Sequence, residues 1–131
     1  MTRVIQPAGW PRPSGYAHGM VAEGGRVVVT AGQIGWDPIT QHFASDDFAE
    51  QMAVALRNVV TVLEAAGAKP TDVVRLTCFV TSRDEYLAAR SAIGVAYRAV
   101  FGHHYPSMSV LVVSGLLEVR AKVEIEATAV V

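Results

Sequence analysis

The 131-residue chain has one cysteine, Cys78, which excludes an internal disulfide and any zinc site built from several thiolates. Charge is sparse as well: Asp, Glu, Lys and Arg together make up 18%, and the formal net charge is −1. The eleven Lys and Arg residues are scattered without forming a basic stripe, which argues against nucleic acid as a partner. No apolar run approaches the roughly 20 residues that cross a bilayer. The opening segment carries Pro7, Pro11 and Pro13 where a secretory signal would need an apolar core. A cytoplasmic protein with no membrane association is the expectation.

Cofactor signatures are missing too. There is no G-x-x-x-x-G-K, no G-x-G-x-x-G, no H-E-x-x-H and no G-x-S-x-G, so neither a bound cofactor nor a catalytic metal is expected. His103 and His104 are adjacent; on an extended segment they point to opposite sides and do not chelate one ion. Cys78 falls among core-facing residues, where a free thiol is commonly inert.

Apolar residues, by contrast, reach 51%, rich for a small monomer that must cover itself with polar surface. The length suits one domain, residues 1–131, with a single core. Residues 17–34 read as a β-hairpin about Glu23-Gly24-Gly25, with Val27, Val28 and Val29 beyond the turn. Residues 35–45 read as a loop that carries Trp36 towards a ligand. A helix follows, with Asp46 and Asp47 at its positive end and Phe48, Met52, Leu56, Val59 and Leu63 at helical spacing until Gly67.

Val74, Leu76, Cys78 and Val80 alternate with Arg75, Thr77, Phe79 and Thr81, as the period of two in a strand requires. Ser82 and Glu85 have the spacing of a capping box and open a second helix, with Tyr86, Ala89, Ile93, Tyr97 and Val100 as its buried stripe and Gly102 as its end. Residues 107–113 are apolar on both sides and read as a strand buried on both faces. The last strand alternates Val123, Ile125, Ala127 and Ala129 with Lys122, Glu124, Glu126 and Thr128. From pattern alone, Glu124 and Glu126 read as a solvated face. The fold class is therefore α+β: a mixed sheet with two helices packed on one face. Its other face, with an apolar strand in it, is expected to pack against further copies of the chain in a closed ring.

Three segments, Ala31-Gly32-Gln33-Ile34, Tyr105-Pro106-Ser107-Met108-Ser109 and Val123-Glu124-Ile125-Glu126-Ala127, resemble the signature regions of the RidA (YjgF) family of reactive enamine/imine deaminases. The likeness runs through nearly the whole chain in order. It implies a chorismate-mutase-like fold, a homotrimer, and small-molecule clefts each lined by two subunits. It also implies hydrolysis of an imine to a 2-oxo acid and ammonia, with Glu124 positioning the water and Tyr16 shaping the cleft. Substrate-binding positions carried over in the same way, or placed near them, are Ala31, Gly32, Met108, Trp36 and Arg120.

Two positions depart from the family pattern. The arginine of its Pro-x-Arg-Ser motif, which holds the substrate carboxylate, is Met108 here, and the serine before Gly-Gln is Ala31. Methionine neither carries charge nor donates a hydrogen bond. The expectation is a more apolar cleft with atypical specificity, and Arg120, Arg90 and Arg83 are the candidates to supply the missing charge. A non-catalytic trimer that binds a small metabolite is the alternative. RNA cleavage, attributed to some members, ranks last at this net charge.

Overall fold

The computed structural model describes residues 2–131. In chain order its elements are β1 (Thr2–Ile5), β2 (Gly19–Ala22), β3 (Val27–Val29), β4 (Gln33–Ile34), α1 (Phe48–Ala65), β5 (Val73–Val80), α2 (Arg83–Ala88), α3 (Arg90–Phe101), β6 (Ser107–Val112) and β7 (Val123–Val130). A mixed α+β architecture is thus present, with three helices where the periodicity predicts two.

α1 begins where predicted. Asp47 is its N-cap, in extended conformation, and its Oδ2 accepts the Glu50 N–H at 3.0 Å. The stripe Phe48, Met52, Leu56, Val59 and Leu63 is buried. Gly67, at φ +77°, ends the helix with its N–H on the Glu64 carbonyl. The second helical stretch also starts at its predicted cap, the Ser82 hydroxyl accepting the Glu85 N–H at 3.1 Å. Only that half of the box forms, because the Glu85 carboxylate takes the Lys122 ammonium at 2.7 Å. The helix then divides at Ala89, whose N–H is shared between the Glu85 and Tyr86 carbonyls, a tightening typical of a helix end. Ile93 still bonds back to Ala89 at 2.8 Å, so the four-residue spacing runs through the break.

The main sheet has the order β3-β7-β5-β6, with β4 also on β7. β5 and β6 are parallel; the other pairs are antiparallel. Leu76, Cys78 and Val80 of β5 and Val123, Ile125, Ala127 and Ala129 of β7 join the apolar faces of α1 and α3 in one core. The alternation in the last strand is as read from the sequence, and Glu126 on its polar face is exposed.

Two local expectations are corrected. Residues 17–34 do not form a hairpin: β2 pairs with β1 in a separate two-stranded sheet, while β3 pairs with β7. Gly24 and Gly25 do turn the chain, both at positive φ, but Arg26 exchanges backbone bonds with Val131 at 2.7 and 2.9 Å. The end of β7 therefore captures the segment that a local pattern assigns to β2. Nor is β6 buried on both faces. It is an edge strand, and Val110, Leu111 and Val112 are 38%, 44% and 57% exposed in the single chain, because no element of the chain covers them.

One buried amide ties the helical layer to both the sheet and the loops. Gln51, 1% exposed, donates from Nε2 to the Ser45 and Arg120 carbonyls, both at 3.0 Å, and accepts the Lys122 N–H on Oε1 at 2.9 Å. One turn pair further along α1, Asn58 donates to the Ile34 and Trp36 carbonyls at 3.1 and 2.9 Å. Gln51→Leu leaves two carbonyls and one N–H without partners at a dry contact. The expected cost is about 2 to 4 kcal/mol, read as a lower urea midpoint at unchanged slope.

Candidate functional site

The site begins with the placement of β6. A bulge between Val73 and Arg75 interrupts the start of β5, which leaves backbone carbonyls there free of the ladder. Side chains of the approaching segment take them: Ser107 Oγ donates to the Val74 carbonyl and His104 Nε2 to the Val73 carbonyl at 2.7 Å. β6 then runs in register from Arg75 against Ser107 to Val80 against Val112. The N-terminal arm is laid beside it, Ala17 N–H donating to the Pro106 carbonyl at 3.0 Å and bridging Ser107. Tyr16 is steadied by edge-on contact with His18 at 5.7 Å, and His18 by Trp10 at 5.1 Å.

This arrangement brings Tyr16 and Met108 together in a cleft of about 590 Å³ between the sheet edge and the second helical layer. Its floor is apolar, with Leu76, Cys78 and Ile125, and its helical wall presents Tyr86, Arg90 and Arg98. A hollow of about 170 Å³ shares Tyr16 and Met108 and adds His18, Arg75, Ser107 and Ser109.

Glu124 lies elsewhere in the same chain. Ile125 lines the cleft, and adjacent residues of a strand point to opposite faces, so Glu124 is on the face away from the helices. There it packs on Gly32: a Cβ at Gly32 would fall 2.5 to 2.6 Å from the Glu124 Cδ, Cγ and Oε2 atoms. Only the missing side chain permits that approach. Ala31, next to it, is exposed. Trp36 packs at a tilt on Phe43, with ring centroids 5.7 Å apart. Arg120 is paired with Asp46 at 2.9 Å and lies 5.4 Å over the Phe43 ring. Within one chain, then, Tyr16 and Met108 meet, Gly32 and Glu124 meet, and Trp36 and Arg120 do not line the cleft.

Of the arginines raised by the sequence, Arg90 lines the cleft, whereas Arg83 and Arg120 do not. Arg98, not singled out from sequence, lines it as well. The signal available was the four-residue interval from Tyr86 through Arg90 and Gly94 to Arg98.

Burial governs the ionisation of the cleft's weak acids. The Cys78 thiol, 3% exposed, is pushed up to about 12. Tyr86 is raised above the usual phenol value by burial and by Cys78, with Arg90 acting the other way. Tyr97 is raised by burial and by Tyr105; its hydroxyl donates to the His104 carbonyl at 2.6 Å and its ring stacks on Phe101 and Tyr105. These groups stay neutral at physiological pH. Among the described residues no three His, Cys, Asp or Glu side chains gather into a metal-binding group, and no helix is long and apolar enough to cross a membrane.

The family model described as Endoribonuclease L-PSP, that of YjgF/RidA proteins, matches residues 11–131. The chain belongs to the RidA (YjgF) family. A relative named 2-iminobutanoate/2-iminopropanoate deaminase from Salmonella typhimurium is 37% identical over 109 residues, covering 81% of this chain and 80% of its own. A human relative of the same name is 30% identical over 129 residues, covering 98% and 89%. The crystal structure of a Rid-family protein of unknown function from Yersinia pestis superposes with a TM-score of 0.85 at 33% identity, covering 99% of this chain and 98% of that one.

In this RidA-family chain the one thiol is at the cleft floor yet held neutral. With a pKa of about 12, only about one Cys78 in ten thousand is thiolate at pH 8. Folded protein is expected to leave Ellman's reagent unreacted at that pH over an hour, and to react with one equivalent once unfolded in guanidinium. Rapid reaction of the folded protein would show Cys78 to be an available nucleophile.

Proposed function

We propose that this single RidA-like domain is a cytoplasmic hydrolase for reactive imines and enamines, working as a homotrimer of chorismate-mutase-like architecture. The observation that carries this reading is the division of the site across the sheet. Tyr16 and Met108 border a cleft on one side, while Glu124 seated on Gly32 is on the other. A neighbouring subunit that contributes its Glu124 to the cleft would unite the two halves. The helix-free face and the exposed apolar residues of β6 support such packing, and so do the deaminase names of the relatives.

The chemistry asks little of the protein. Water adds to the carbon of a C=NH group, a proton passes to nitrogen, and the adduct collapses to a C=O group and ammonia. A carboxylate suits the task because it accepts hydrogen bonds from the attacking water and can take its proton. Tyr16 has a hydroxyl that can donate to the substrate. Met108 replaces a charged donor by a soft apolar side chain, which favours substrates bulkier than 2-iminopropanoate. The same substitution supports a second reading, a trimer that binds a metabolite without turning it over. The endoribonuclease description of the family is not carried over, since the net charge is −1 and RNA binding draws on clustered basic groups.

Two measurements test the proposal. Light scattering at micromolar concentration is expected to give three times the 14.0 kDa chain mass; a monomer would remove the shared cleft. Glu124→Gln keeps the shape of the side chain but cannot take a proton from water. It should lower imine hydrolysis, followed by ammonia release, by at least about a hundredfold, with the trimer intact. Undiminished turnover in the variant would return Glu124 to a solvated surface role, and bound ligand released unchanged by wild type would favour the second reading.

A further inference from the structure

Met108 leaves β6 without a charged donor, yet the helical wall of the same cleft carries two cations. Tyr86, Arg90, Gly94 and Arg98 follow one another at four-residue intervals, and the bonds through Ala89 preserve that spacing. They therefore share one stripe of the helical layer, and all four border the cleft. A Cβ at Gly94 would lie 3.1 Å from Arg98 Nη1. The bare α-carbon thus leaves room for the Arg98 guanidinium to fold back along the helix towards Arg90.

Among the described residues neither arginine has an acid partner. The ion pairs among the described residues join Arg120 to Asp46 and Lys122 to Glu85, so the carboxylate at the start of the same helical stretch is already committed to Lys122. Arg90 is close enough to Tyr86 for its charge to act on that phenol. Opposite the two guanidiniums lie Leu76, Met108, Val110 and Ile125. Unpaired guanidiniums at the rim of an apolar cleft suit a ligand with a carboxylate at one end and an apolar body at the other, because a planar guanidinium grips both carboxylate oxygens. A volume of about 590 Å³ also exceeds what a three-carbon imine fills.

We propose that Arg90, assisted by Arg98, binds the substrate carboxylate from the helical wall in place of an arginine on β6, and that the substrate carries a bulky apolar side chain over Met108. This rests on the deaminase reading for the identity of the substrate as an imine of a 2-amino acid. It does not rest on that reading for the anion site itself.

Phenylpyruvate, a 2-oxo acid with an aromatic side chain, is the probe. Benzyl methyl ketone has the same body with a methyl group in place of the carboxylate. Calorimetric titration of the intact assembly is expected to show phenylpyruvate binding at least about tenfold more tightly than either the ketone or pyruvate. Arg90→Gln should weaken phenylpyruvate by about ten- to a hundredfold and leave the ketone unchanged. Arg98→Gln should give a smaller loss of the same kind, and Arg90→Lys should recover part of the affinity. Both side chains are exposed, so the variants should fold and assemble, which the assembly mass checks. Should Arg90→Gln fail to assemble, comparison of Arg90→Lys and Arg98→Gln with wild type carries the same test.

Equal affinity for acid and ketone, no binding of either at millimolar concentration, or an Arg90→Gln/Arg98→Gln protein that still holds phenylpyruvate would each overturn the proposal. Turnover separates it from the reading beneath it. If wild type hydrolyses no imine while acid binding still depends on Arg90, the deaminase reading fails and the anchor stands. If hydrolysis proceeds and Arg90→Gln binds the acid normally, the anchor alone fails.

Discussion

The amide of Gln51 is the contact on which the rest of the arrangement depends. Buried in the core, it bonds at once to the loop before α1, through the Ser45 carbonyl, and to the segment that leads into β7, through the Arg120 carbonyl and the Lys122 N–H. Apolar packing alone would hold α1 against the sheet at many rotations and offsets, since dispersion and hydrophobic burial are weakly directional. Three hydrogen bonds at fixed angles remove that freedom. They set where β7 begins, and hence which of its residues face the helices. A buried polar group that is fully satisfied specifies geometry in this way even where its net energy is modest.

From the setting of β7 the division of the site follows. Period two places Ile125 under the cleft and Glu124 on the opposite face. Within the subunit the sheet itself separates that carboxylate from the cleft that Tyr16 borders. Under the proposed trimer, the helix-free face would serve as both the adhesive surface and the source of a reacting group.

Much of this was legible in the sequence, and the physical nature of each signal explains which parts. α1, β5 and β7 were readable because periodicity, caps and a stop all agreed over eight or more residues. The family resemblance pointed to Glu124 and Met108 through short motifs that the structure holds on β7 and β6, the two strands that flank β5. The hairpin was misread because Val27, Val28 and Val29 suit any strand, and a partner 103 residues away in sequence, Val130 against Val27, leaves no local mark. Gln51 was invisible for a similar reason: a glutamine on a helix usually faces water, and two of its three partners, at Arg120 and Lys122, lie in a distant segment. Arg98 escaped notice because an arginine on a helix usually faces water, although its four-residue interval from Tyr86, Arg90 and Gly94 was there to be read.

The break in the β5 ladder has a consequence for how such a protein changes over time. Since the carbonyls of Val73 and Val74 are bound by His104 and Ser107, the backbone of β6 is moored just upstream of position 108, by side chains other than that of residue 108. Residue 108 inherits a fixed position from its neighbours and contributes nothing to the mooring. Under the proposed function, exchange of a guanidinium for a thioether there would alter what the cleft can hold without asking the strand to shift. The ligand preference of this scaffold is in that sense replaceable one side chain at a time, with the frame that presents it left standing.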